Sequence, residues 1–422
     1  MTRIEHLAEW AAGLRLSDIP PRVIEKARAQ QASVLGATLA GLHDPAARKV
    51  VAAAQRHGGQ GRARLLATGA RLSRPAAVRA NASVSCTFDY DEILLLGHPG
   101  HSTVTVPLVV GEELGASFGE VIAAQVAGNE IAGRLGLATF LGPQNGQMIP
   151  HLHCAGAAVA AGKLLGLDAR GLAHALAVAL AQPPSALWPS FLGDLEAKVL
   201  VAAHGTGMGI LAAELAAEGF SGALDLLDHA HGFFRRFSFA PFVRALGGLG
   251  RAWLSDTLQV KEHAACWYFQ ALLDAAASLP RVRGADVKRV RCGVTFLADA
   301  VDSTERLRPR GALSANEVNF SIAASVALVL LRGRLRPEDL TAEGLAAAEP
   351  EVRALSAKVE VVHDPALDEK LFGALHRSLD LPGLVGTVST LELARALRRA
   401  RAEFPQARGL GAASLVRWRR ER

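Results

Sequence analysis

The chain has 422 residues, 50% of them hydrophobic and 20% charged, which suggests two or three domains and excludes disorder over most of its length. The net charge of +6 is confined to one end: residues 395–422 hold nine Arg against two Glu, a balance of +7 that leaves −1 for the remainder. No nucleic-acid partner is expected, because the Lys/Arg stripes interleaved with aromatics that such binding needs are missing, and the Arg-rich end reads as a solvated helix face.

Ile4, Leu7, Ala8, Ala11 and Leu14 give residues 4–16 the spacing of an amphipathic helix. Glu5 and Glu9 interrupt that stretch, so it is not read as a signal peptide. Pro20-Pro21 precedes a second periodic stretch, Val23 to Leu42, and Asp44-Pro45 reads as an N-cap and first-turn proline for a helix over 45–57. Further helices are predicted over 74–89, 104–116, 119–137, 154–165, 169–181 and 197–218, with Gly and Pro at most boundaries. The longest uncharged runs, 135–162 and 171–193, contain prolines and scattered polar residues, so they read as buried helices and no membrane partner is expected. Up to about residue 255 no run of strands is found.

The texture then changes. Residues 287–297 (VKRVRCGVTFL) read as a strand, with 358–363 (KVEVVH) and 383–389 (GLVGTVS) as two more. Helical patterns lie between them at 317–331 and 337–346, and helix returns at 391–403. The expected fold is mainly α: a large all-helical domain of 1–255 plus 389–422, with a smaller α+β lid domain, 256–388, inserted before the C-terminus. Cys86, Cys154, Cys266 and Cys292 are far apart and form no CxxC pair, which fits reduced thiols in the cytoplasm.

Ordered segments along nearly the whole chain resemble the MmgE/PrpD family, which includes 2-methylcitrate dehydratase, cis-aconitate decarboxylase and iminodisuccinate epimerase. They are the helix pair from Pro21 to Gly41, the run NASVSCTFDYDE (81–92) leading into a DFDD-type turn, His98-Pro99-Gly100, NEIAGRLG (129–136) and GAAVAAGKLLGLD (156–168). Lys198 stands 21 residues before Gly219-Phe220, and Lys261–Cys266 and the EVNFS element ending at Ser321 complete the order. The resemblance implies a helical domain with an α+β lid, a homodimer, and a small carboxylate substrate.

The implied chemistry begins with removal of a proton next to a carboxylate or ketone, which needs a base and a cation for the developing charge. Well-placed side chains suffice, so neither a cofactor nor a metal is expected. By resemblance Asp89 takes the family's active-site aspartate position, His98 its histidine, and Lys198 its carboxylate-binding lysine. His101 competes with His98. On an extended segment Asp89 and Asp91 would share a side. The three catalytic candidates are expected to meet in one cleft although more than a hundred residues separate the first from the last.

The sequence also departs from the family pattern. Gln147 stands nearest a family histidine, with His151 and His153 just downstream. In the lid segment Lys261 is kept, His263 replaces an aromatic, and Gln270 replaces a histidine. Gln147, His151, Lys261, His263 and Gln270 are therefore, with His101, the expected substrate contacts. Glutamine hydrogen-bonds a carboxylate but does not exchange a proton at neutral pH. The expected activity is a cofactor-independent, dehydratase-type lyase on a small di- or tricarboxylic hydroxy acid. An epimerase or isomerase using the same proton abstraction is the alternative, and an inactive binding protein of the same fold the second. The His151/His153 and His229/His231 pairs have no third ligand at a recognisable spacing, so no metal is assigned to them. Arg134 and Glu130, four apart on an apolar helix, read as a structural ion pair.

Overall fold

The computed structural model describes residues 1–95, 97–143, 150–185, 196–303, 312–378, 383–384 and 386–403. The protein is mainly α-helical, with only small two-stranded sheets. Its contacts divide it into two compact units, Met1–Thr87, Asp91–Leu187 and Ala197–Val260 in one, and Phe88–Tyr90, Trp188–Glu196 and Lys261–Arg422 in the other.

Local sequence sets the helix ends of the first unit. Thr2 and Glu5 form a reciprocal capping box at Arg3–Gly13, and Ser117 and Glu120 do the same at Phe118–Ala138. Asp44 caps Pro45–His57 by accepting from the backbone N–H groups of Ala46 and Ala47. The expected helix over 74–89 stops at Ser85. At the centre, Val201–Ala217 packs against Pro150–Leu164, Arg74–Ser85 and Ala169–Ala181. With few aromatics to fill gaps, small residues bring the backbones together. A Cβ at Gly209 would lie 2.5 Å from the carbonyl oxygen of Cys154, so only glycine fits there. The run Glu196–Ala217 is long and apolar enough to cross a bilayer, and 56% of its apolar window is buried inside the protein, as in a core helix. Among the described residues of this unit the strands are two antiparallel pairs of two residues each, Ala63–Arg64 with Arg71–Leu72 and Glu92–Ile93 with Gln259–Val260.

In the second unit Val290–Val294 and Val359–His363 pair in parallel, Val290 opposite Val359 and Val294 opposite His363. The connection between them carries Phe296–Val301, Ala315–Phe320, Ile322–Arg332 and Ala342–Ser356, as a parallel pair requires a long crossover. Two expected helices are each split by a capping hydroxyl. Ser321 accepts from Ala324 N–H and starts a new helix, and Thr341 does so through Gly344 N–H. The third expected strand, 383–389, is not one in its described part: 383–384 are helical and 386–387 form a turn. This valine/glycine segment has no strand partner among the described residues, and an unpaired strand has nothing to satisfy its backbone. Contacts draw the boundary after Val260, where the sequence reading drew it at 255/256, and they keep Thr390–Glu403 with the second unit. That helix buries Leu393, Ala396, Leu397 and Ala400 and exposes Arg395, Arg398 and Arg399.

Candidate functional site

The helix Arg74–Ser85 delivers the chain into a tight, buried segment. Asp89 (φ 52°) and Leu95 (φ 57°) both occupy the left-handed region, which costs an L-residue roughly 1–2 kcal/mol. Asp91 and Glu92, between them, are buried. One oxygen of Glu92 accepts from Gly100 N–H at 2.7 Å and from the Gln30 amide at 3.1 Å. A Cβ at Gly100 would overlap that carboxylate, so a side chain there would displace Glu92 from the N–H that anchors the segment carrying His98 and His101.

Asp91 is the hub of this segment. His98 Nδ1 lies 2.6 Å from Asp91 Oδ2 and 2.6 Å from the carbonyl oxygen of Glu92. His101 Nε2 lies 3.3 Å from the same carboxylate oxygen, and its Nδ1 is 2.9 Å from Ser85 Oγ. Two acceptors face His98 Nδ1, so that nitrogen carries the proton and Nε2 is the one that exchanges. Both nitrogens of His101 are engaged, one on Ser85 and one on Asp91. His153 continues the row, its ring centroid 5.9 Å from that of His101 and its Nδ1 3.1 Å from Ser102 Oγ. Burial, and then the neighbouring His101, His98 and His151, push His153 well below the usual histidine range. One carboxylate thus faces two imidazole rings, with His153 next in the row.

Lys198 lies in the single-turn helix Glu196–Leu200 and is buried, with 3% of its surface exposed. It is not a snorkelling surface lysine. Its carbonyl oxygen receives the Cys86 thiol at 3.9 Å, and Cys86 follows Ser85, which holds His101. Consecutive residues at one helix end therefore support both the lysine backbone and the histidine cluster. The lysine's charge also reaches Asp44, whose carboxyl is raised by burial and pulled back by the Ala46 and Ala47 N–H groups and by Lys198. Among the described residues no group of three or more His, Cys, Asp or Glu is arranged to hold a metal ion.

Residues 5–243 match the MmgE/PrpD N-terminal domain and residues 263–404 the MmgE/PrpD C-terminal domain. The chain belongs to the MmgE/PrpD family. It is similar to the cis-aconitate decarboxylase of Aspergillus terreus strain NIH 2624, 26% identical over 295 residues, covering 65% of this chain and 59% of that protein. It is also similar to the cis-aconitate decarboxylase-like protein oryM of Aspergillus oryzae, 23% identical over 296 residues, covering 65% of this chain and 61% of that protein. The chain thus matches about three fifths of the length of these curated relatives.

In this MmgE/PrpD chain the two aspartates of the acidic turn part company. The expectation that Asp89 and Asp91 share a side assumed an extended segment, and the left-handed Asp89 breaks it. Asp91 holds His98 and His101 in the first unit. Asp89 lies in the second, where Lys261 Nζ is 3.3 Å from its carboxylate and donates to its carbonyl oxygen at 2.7 Å. His151 is wedged against Phe233 and Phe237, with ring centroids at 5.1 and 5.3 Å, and its Nε2 is 3.3 Å from Thr139 Oγ1. Burial pushes its pKa down to about 3, which makes it a neutral core histidine.

In the second unit Gln270 accepts from His263 N–H at 3.1 Å and donates to the carbonyl oxygens of His263 and Ala265 at 3.0 and 3.2 Å. Its amide braces the loop from Lys261 to Cys266. His263 accepts from Leu335 N–H at Nδ1 and meets Asp274 at Nε2. Gln147 lies outside the described residues. Ser85, Asp91 and His153 were not among the expected site residues. The D-x-D-E run was the available signal for Asp91, whereas the two serines give none, because their role depends on a fold that brings helix ends together.

Proposed function

We propose that this chain is a dehydratase-type lyase that removes the proton next to a carboxylate of a small di- or tricarboxylic hydroxy acid. The observation that carries the reading is the Asp91–His98 pair. Nδ1–H of His98 is held between Asp91 and the Glu92 carbonyl, which presents Nε2 as the base. On taking the substrate proton the ring becomes an imidazolium, and the Asp91 carboxylate, 2.6 Å away, stabilises that charge. His101 orients Asp91. Lys198 supplies a positive charge for a substrate carboxylate and for the enolate formed beside it. Collapse of the enolate forms the alkene and breaks the β-carbon–oxygen bond, and the departing hydroxide takes the proton held on His98 and leaves as water. The names of the A. terreus and A. oryzae relatives support lyase chemistry on an unsaturated tricarboxylate, where the same histidine would return a proton to carbon.

The isomerase or epimerase reading is favoured by one observation: Gln270 stands where a family histidine is expected, and its amide is already bonded to backbone. Loss of a second acid harms elimination of hydroxide more than it harms return of a proton to carbon. The experiment is proton NMR in D2O with citrate, (S)-malate, cis-aconitate and tricarballylate. Deuterium uptake with a new alkene signal supports the lyase, and uptake into citrate or (S)-malate with an unchanged skeleton supports the isomerase; tricarballylate, which has no hydroxyl to lose, reports proton abstraction alone. Absence of exchange on all four, or an unchanged rate in His98→Asn, overturns the proposal.

A further inference from the structure

The first unit holds a cavity of about 430 Å³ that shares no residue with the Asp91–His98 site. It opens where three stretches of chain meet: the end of the helix Arg3–Gly13 with the residues just after it, the start of Phe118–Ala138, and the end of Pro150–Leu164. Its size is that of a small-molecule site. Leu14, Leu16 and Leu164 line it together with alanines. Leu16 is 39% exposed although it packs on Gly119, where a Cβ would lie 3.0 Å from Leu16 Cδ2. Apolar surface is thus left to water around a space that a ligand's alkyl chain would fill.

Charged groups form the rest of the wall. Lys163 is half-buried, and its Nζ donates to the carbonyl oxygens of Ala11 and Ala12 at 2.9 and 3.1 Å, closing a helix whose own last turn has no basic residue. An ammonium has three donors, so one N–H remains for the cavity. Arg15 brings a whole guanidinium: its backbone N–H donates to Asp18 at 2.9 Å, but among the described residues nothing holds its side chain. Glu120 is the acidic residue of the lining, and its carboxylate is already taken. It accepts from the Ser117 hydroxyl at 2.7 Å and N–H at 2.8 Å, which hold its carboxyl below the usual range. The lining therefore carries two cations against one anion, and both cations retain unused donors.

We propose that this cavity binds an aliphatic monocarboxylate, its head on Arg15 and Lys163 and its chain against Leu14, Leu16 and Leu164. The planar guanidinium fork matches a carboxylate through two parallel hydrogen bonds. One negative charge balances the excess of one cation. A di- or tricarboxylate would bring further charge against Glu120 and against Asp18, whose field reaches Lys163. The ligand therefore belongs to a different class from the substrate proposed above, and the assignment does not depend on that reaction.

The test is a ligand-observed proton NMR titration of the full chain with butanoate, octanoate and 1-octanol at fixed ionic strength. Octanoate should bind at least ~10-fold more tightly than butanoate, since each buried methylene adds a factor of about four. It should also bind at least ~10-fold more tightly than 1-octanol, which has the chain without the charge. Arg15→Gln should weaken octanoate by ~5-fold or more. Its melting temperature should match wild type, because the side chain is exposed and bonded to no described residue. Arg15→Lys should recover only part of the loss. Ala116→Phe, which fills the space from a half-buried position in the lining, should abolish binding. Excess citrate should leave octanoate bound. No binding of octanoate to wild type, or equal affinity for octanol and octanoate, overturns the proposal. So does an unchanged affinity in Arg15→Gln, displacement by citrate, or binding that persists in folded Ala116→Phe. If phenylalanine prevents folding, the Arg15 variants decide alone.

Discussion

The helix Phe118–Ala138 and the segment that follows Ser85 both bury charged side chains, and they differ in what those side chains can do. On the helix, Arg134 donates to the carbonyl oxygens of Ala245, Gly247 and Ala252 and meets Glu130 at 3.3 Å. Glu130 in turn accepts from the N–H groups of Leu254 and Ser255 and from the Ser255 hydroxyl. This pair staples residues 245–255 to the helix, and every contact it makes is to the fold itself. In the other segment Asp91 faces two imidazoles. Buried charge in the first case serves structure; in the second it serves a group whose proton is exchangeable.

The sharpest way to break this contrast is a pair of charge-removing substitutions. Asp91→Asn should lower kcat/KM by ~10³-fold, by removing the anion that stabilises the His98 imidazolium. Glu130→Gln should leave kcat per folded molecule near wild type but destabilise the protein by roughly 3–5 kcal/mol, because Arg134 is left buried without its anion. Urea unfolding and steady-state kinetics on both variants decide it. Equal effects on both quantities in both variants would dissolve the distinction.

Acid provides the next effect. His151 is buried with a pKa of about 3, against ~6.5 in the unfolded chain. Its folded pKa is depressed, so between these values the unfolded state binds more protons and stability falls as pH is lowered. At full burial the loss between pH 7 and pH 4 is about 3 kcal/mol. His153, shifted in the same direction, adds to this acid limb. His151→Phe, packed with Phe233 and Phe237, should flatten the decline of melting temperature between pH 6.5 and pH 4. An unchanged acid limb would show that His151 titrates normally.

Lys198 comes next. Lys198→Ala should cost ~10²-fold in kcat/KM through loss of a charge-assisted contact. Lys198→Arg should rescue poorly, because a planar fork does not replace a compact ammonium on a buried turn. Full activity in Lys198→Ala would remove it from the mechanism.

Much of the helical architecture was legible because its signals are local. Asp44-Pro45 marks its helix through a cap and a first-turn proline, and Ala169–Ala181 was read with its observed bounds. The family motifs singled out His98 and Lys198, and the fold buries Lys198 and sets His98 beside Asp91. What sequence did not yield depends on backbone turns and on distant partners. The left-handed Asp89 sends neighbouring carboxylates to different tasks, and no periodicity announces that. Ser321 and Thr341 split two helices because a hydroxyl cap competes with continuation. Gln270 was read as a substrate contact, yet its amide finds backbone partners five and seven residues back in the chain, a local bracing visible only once the loop is folded.

Asp44 gives the smallest effect and the finest test of Lys198. Its carboxylate caps Pro45–His57 through Ala46 N–H at 2.7 Å and Ala47 N–H at 3.3 Å. Lys198 also pulls on its titration, so by reciprocity Asp44 tempers the potential of the lysine. Asparagine keeps an oxygen for the cap and removes the charge; alanine removes both. Asp44→Asn should therefore hold stability within a few tenths of a kcal/mol, while Asp44→Ala loses about 1 kcal/mol. Both variants should lower KM for a polycarboxylate by about two-fold, since the field at Lys198 becomes more positive and a partly screened charge pair is worth well under 1 kcal/mol. The gain should vanish at high salt. A KM unchanged at low ionic strength in Asp44→Asn would mean that the lysine's charge does not face the substrate, and would place Lys198 with Glu130 and Arg134 among the groups that serve the fold.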